Sequence, residues 1–176
     1  KTRAVNKEEF EKIISTIRTG FTLPNEDRVR PNERVATALT LQANLGLRIG
    51  DIVHLRLADI ILEGGRYHLD IVEQKTGRAR NFTVPTEVYI YLQNYTIQQG
   101  LRPTQKLFPL TVRAVQLHLQ KVCRYLGITG VSTHSFRKFF AVSIYMENDY
   151  NVELVRQLLQ HSSVAVTQHY LSVEPK

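Results

Sequence analysis

The sequence predicts an α+β domain, mainly helical, with one small three-stranded antiparallel sheet. Most of the chain carries apolar residues at the three- and four-residue spacing of amphipathic helices, with capping residues before the runs and glycines after them. One stretch, residues 60–84, instead alternates polar and apolar residues and is broken by two turn signals. At 176 residues, without repeats or low-complexity tracts, the chain suits a single domain that buries roughly two-thirds of its unfolded surface.

The elements follow in order. Asn6 or Thr2 can cap a first helix reaching about Arg18, and Glu9 stands three residues after Asn6, as a capping box requires. Phe10, Ile13, Ile14 and Ile17 form its apolar stripe. Residues 20–31, with two prolines, predict a loop. A second helix runs from about Asn32 to Asn44 and stops at Gly46. Ile49 to Leu55 predicts a short helix. Strands are expected over Ile60–Leu62, Arg66–Val72 and Arg80–Val84, joined by turns at Glu63-Gly64-Gly65 and Lys75-Thr76-Gly77. Pro85 opens a helix to about Gln98, and 100–109 is a loop. Thr111 caps a helix that Gly127 ends. Ser132 or Thr133 caps the helix containing HSFRKFFAVSIYM, Asn151 caps NVELVRQLLQ, and Ser162 or Ser163 starts a last short helix carrying Tyr170.

Composition narrows the function classes. Twenty-three Lys and Arg against sixteen Asp and Glu give a net charge of +7, which favours a polyanionic partner but equally describes a solvated basic surface. No run approaches the ~20 apolar residues of a membrane span. The polar start, KTRAVNKEEF, has no apolar signal-peptide core. A single cysteine, Cys123, excludes an internal disulfide and sits among Leu119, Val122 and Leu126 at helical spacing, as a buried structural thiol would. The opening without an initiator Met suggests a piece cut from a longer protein.

Several residues carry possible chemistry. In THSFRK, His134 and Arg137 are three apart and project from one helix face. Arg offers a planar fork for a phosphate, and His exchanges protons near neutral pH. An ordinary surface pair has the same spacing. In NLGLRIGD, a glycine-marked helix end puts Arg48 at a backbone break, where Asp51 could hold it by a salt bridge. Lys75 lies at a hairpin tip made strongly basic by Arg78 and Arg80; a tip lysine serves solubility as readily as it reaches a DNA backbone. His161 follows LVRQLLQ, and Tyr170 comes nine residues later, beside His169. A reactive tyrosinate needs cations or a base beside it, whereas most tyrosines are simply packed.

Together the order is Arg, hairpin Lys, His-x-x-Arg, His, and a Tyr close to the end of the sequence. With LGLRIGDIVHLRLADI, EQKTGRARNFTVP, THSFRKFFAVSIY and LVRQLLQHSSVAVTQHYL, the chain resembles the tyrosine recombinase family, the phage- and transposon-type integrases, over nearly its whole length. Asp51 stands where the family more often has Glu, and Gln160 where it more often has Gly; neither change removes a chemical group.

The resemblance implies a catalytic set of Arg48, Lys75, His134, Arg137, His161 and the nucleophile Tyr170. It implies site-specific DNA recombination through a 3′-phosphotyrosyl intermediate, with no metal or other cofactor. The arginines would neutralise the phosphate and, with the histidines, depress the pKa of Tyr170; Lys75 would protonate the leaving 5′-oxygen. Arg78, Arg80, Arg113, Lys121 and Lys138 are the expected further DNA contacts. The expected partners are double-stranded DNA and, on DNA, further copies forming a tetramer; the isolated chain is expected as a monomer, without its N-terminal DNA-binding domain, in the bacterial cytoplasm at the nucleoid. Two rival readings stay open at this level: a type IB topoisomerase-like enzyme, and a non-catalytic DNA-binding module. A metal hydrolase using His118, His134, His161 and His169 lacks any supporting ligand spacing.

Overall fold

The structure, a computed structural model, describes residues 2–159 and 164–171. Helix α1 (Lys7–Thr19) opens at Asn6 with the expected capping box: the Asn6 side chain accepts from Glu9 N–H while the Glu9 carboxylate accepts from Asn6 N–H. Thr2 has another role, a hydroxyl contact to Ser132 at 3.0 Å. The proline-bearing stretch after α1 is not all loop. Phe21–Thr22 (β1) and Arg28–Val29 (β2) pair antiparallel, too briefly for any alternation to register.

Helix α2 (Glu33–Leu45) is the central element, with Val35, Ala36, Ala38, Leu39 and Leu41 buried. It ends at Gly46, whose φ of 70° closes the helix in the left-handed region, and a Cβ there would overlap the Phe140 ring. The glycine therefore both stops α2 and admits the next partner helix. A short helix α3 (Ile49–Ile52) and a 3-10 turn (Leu57–Asp59) lead to strands β3 (Ile60–Glu63), β4 (Arg66–Val72) and β5 (Ala79–Val84), in the antiparallel order β3-β4-β5. Leu69 pairs with Ile60 on one side and Phe82 on the other, so the inward residues of all three strands stack against the helices. Tyr67 stacks on Tyr89 of α4 (Thr86–Gln99), ring centroids 3.9 Å apart, and pins the sheet to the body.

Helix α5 (Val112–Leu126) starts under Thr111, whose hydroxyl accepts from Ala114 N–H, and buries Val115, Leu119, Val122 and Cys123. Burial pushes the Cys123 thiol up to about 11, as befits a structural cysteine. Helix α6 (His134–Glu147) crosses α2 at Gly46. Neither expected hydroxyl caps it. Thr133 is itself in helical conformation, and Ser135 Oγ accepts from Ser132 N–H. Asn151 caps α7 (Val152–Leu159) through Leu154 N–H. Helix α8 (Val164–Leu171) carries Tyr170; the expected caps Ser162 and Ser163 lie outside the described residues. Ala141, Val155, Leu159 and Leu171 form a second, smaller core that seats α7 and α8 on α6.

Candidate active site

The site lies where the end of α2, the β4–β5 hairpin, the first turn of α6 and α8 converge. Arg48, Lys75 and His134 line one open cleft of about 390 Å³, together with Gln42, Asp51, Gln74 and Gln116. Arg137 lies one turn along α6 from His134 and is only 1% exposed. Its Nε donates to Gly46 O at 2.7 Å, tying it to the same backbone break that carries Arg48. Its Nη2 reaches Leu159 O at 3.4 Å. Tyr170 closes the group. The Arg137 guanidinium stands 5.8 Å from its ring centroid, Lys138 Nζ 5.3 Å, and the His134 ring meets it edge-on at 5.3 Å. The fold thus brings together five of the six residues singled out in the sequence. The sixth, His161, lies outside the described residues.

Several expectations are corrected by this geometry. Arg48 is held by Glu73, not Asp51: Arg48 Nη1 donates to Glu73 Oε2 at 3.1 Å. Asp51 Oδ1 accepts from Gln74 N–H at 2.8 Å and so anchors the hairpin backbone. Arg80, expected at the DNA surface, is 5% exposed. It pairs with Glu73 at 3.5 Å and donates to Leu158 O. The strand alternation carried that signal, since Arg80 shares its face with Phe82 and Val84, both turned inward. Lys138, another expected DNA contact, donates to Thr2 O at 3.0 Å besides standing over Tyr170. Arg78, Arg113 and Lys121 are exposed, as DNA contacts must be. Sequence reasoning missed Glu73, 3% exposed at the heart of the site; its only trace was one acid at an otherwise basic hairpin tip. Gln42 was missed too. It is fully buried, and its amide has no partner among the described residues.

The electrostatics also differ from expectation. Burial pushes the Tyr170 phenol up to about 12; Arg137 and then Arg48 pull it down without reversing the shift. At pH 7 the tyrosine is therefore neutral. Burial also pushes His134 down to about 4, reinforced by Arg137, Lys138, Arg48 and Lys75, so its imidazole is neutral at pH 7 and has a lone pair to offer. A neutral phenol, a neutral imidazole and a group of guanidinium and ammonium charges suit an anionic ligand that brings its own negative charge.

Residues 3–176 match the phage integrase family. The chain belongs to that family. A tyrosine recombinase XerA of Pyrococcus furiosus is 28% identical over 99% of this chain and 58% of its own length. A tyrosine recombinase XerC of Methylobacterium sp. is 33% identical over 80% of this chain and 46% of its own. The chain therefore spans about half the length of these relatives. Among solved structures, a lambda integrase bound to a core site superposes with a TM-score of 0.72 at 18% identity, covering 97% of this chain and 59% of that one. The catalytic domain of bacteriophage HP1 integrase gives 0.67 at 15%, covering 99% and 90%. These integrases share the fold, and the family resemblance read from the motifs is borne out.

Proposed function

We propose that this chain is the strand-cutting domain of a site-specific DNA recombinase that works through a covalent phosphotyrosine. The observation that carries the reading is that His134, lining one cleft with Arg48 and Lys75, also meets the Tyr170 ring, which Arg137 of the same helix faces. Tyr170 Oη attacks the scissile phosphorus, forming the P–O bond to the tyrosine as the P–O5′ bond breaks. The phenolic proton passes to His134, and Lys75 donates a proton to the departing 5′-oxygen. Arg48 and Arg137 hold the non-bridging oxygens, where charge develops. His161 is assigned to the phosphate by the family resemblance. Attack by a partner strand's 5′-hydroxyl reverses the steps and rejoins DNA, so the bond energy is conserved in the phosphotyrosine.

An entering phosphate acts on the groups that burial has shifted. Its charge favours protonation of His134, offsetting the cations that now disfavour it. With Arg137 almost wholly covered, α8 must yield for the phosphate to reach it. Arg78, Arg113 and Lys121 are the backbone contacts of this reading, which makes binding salt-dependent. Assembly into a tetramer on DNA and action in the cytoplasm belong to the same reading.

Covalent trapping tests it. The chain and its Tyr170→Phe variant are incubated with nicked suicide DNA bearing a candidate attachment site, with EDTA present, and run on a denaturing gel. A slower protein–DNA band with Tyr170 alone is expected. A band that persists in the Phe variant would place the nucleophile elsewhere.

A further inference from the structure

Glu73 carries the carboxylate that Arg48 and Arg80 share, and nothing in the reaction above uses it. It is almost fully buried and bonded on every side. Its Oε2 accepts from Arg48 at 3.1 Å and faces Arg80 at 3.5 Å. Its Oε1 accepts from the Thr76 hydroxyl at 2.7 Å. Its backbone N–H donates to Arg78 O, and its carbonyl accepts from Gly77 N–H, both at 2.9 Å. Lys75 lies exposed inside the loop these bonds close. Arg80, in turn, reaches the Leu158 carbonyl at the end of α7, next to the Leu159 carbonyl held by Arg137. One carboxylate thus joins the hairpin of the proposed acid, the arginine of the proposed phosphate site and the segment leading to the nucleophile.

We infer that Glu73 is a positioning residue for strand cleavage, fixing the Lys75 hairpin against Arg48 so that the ammonium meets the leaving 5′-oxygen. The physical argument is one of charge and freedom. A surface hairpin holding Lys75, Arg78 and Arg80 beside Arg48 would be driven outward by like charges. A buried carboxylate shared by two guanidiniums reverses that repulsion at close range. A flexible lysine gains most from such a mount, because its four-carbon stem has no preferred direction of its own. This inference rests on the proposed recombinase reaction.

The test compares the chain with Glu73→Gln and Thr76→Val on two DNAs, at saturating protein in single-turnover cleavage. One DNA is all-oxygen; the other carries a 5′-bridging sulfur at the scissile phosphate. A thiolate leaves without a proton, so the sulfur DNA removes the need for an acid while keeping the need for the arginines and Tyr170. A positioned acid contributes about 10²–10⁴ in rate, and a displaced one is expected to lose about 10- to 100-fold of it on oxygen DNA. Glu73→Gln should lose at least about fivefold less on sulfur DNA than on oxygen DNA. Thr76→Val, which removes the hydroxyl's donation to Glu73 and its acceptance from Arg78 N–H but leaves the carboxylate on the arginines, should shift the ratio the same way by a smaller factor. Equal loss on both DNAs, or no loss on either, would overturn the assignment. Lys75→Ala separates the two layers. If it is not rescued by sulfur, the acid role of Lys75 fails; if it is rescued and Glu73→Gln is not, only the positioning role fails.

Discussion

Acidification should destabilise this chain through His134, and the size of the effect follows from its surroundings. An imidazole ordinarily titrates at 6.5, while in the fold burial and four neighbouring cations hold it near 4. The folded state therefore binds the proton less well than the unfolded chain does. The stability this gives is fully present above pH 6.5 and is lost as pH falls from 6.5 towards 4. At about 1.4 kcal/mol per tenfold, the full difference is about 3.4 kcal/mol. Because the ring is half-buried and partly screened by water, we expect roughly half of it, about 1.5 kcal/mol. The assay is urea unfolding of the parent chain and His134→Asn at pH 8 and pH 4.5. The parent should lose about 1.5 kcal/mol more than the variant between the two pH values. Equal losses would refute the argument that burial and the cation group set the charge of His134.

Other outcomes follow from the same geometry. Arg80→Leu should cost about 3 kcal/mol of stability in urea unfolding, by leaving a buried carboxylate short of one partner, and should leave the salt dependence of DNA binding unchanged. Arg113→Ala and Lys121→Ala should each weaken binding across all sequences and reduce the slope of log affinity against log salt by about 1, read by titration at several salt concentrations. Gly46→Ala should lower stability by about 2 kcal/mol or more, since it combines a left-handed φ with overlap against Phe140; thermal unfolding checks this.

The sequence by itself determined most of the elements and pointed to the candidate reacting groups. The Asn6–Glu9 capping box, the glycine after α2 and the two turns of the hairpin sheet are local signals, each a matter of a few adjacent residues, and the structure reproduces them. The order Arg48, Lys75, His134, Arg137, Tyr170 was legible for the same reason: each residue type is fixed by the chemistry it can perform, wherever it sits. Only the tertiary structure decided which carboxylate Arg48 meets and which way the titrating groups shift. Asp51 and Glu73 are both acids within reach of Arg48 along the sequence or the hairpin. The choice between them depends on how β4 and β5 lie against α2, a packing outcome with no local signature. The cations around Tyr170 suggested a lowered pKa, but the ring's burial outweighs them, because desolvation is summed over everything packed around the phenol and not over its charged neighbours alone.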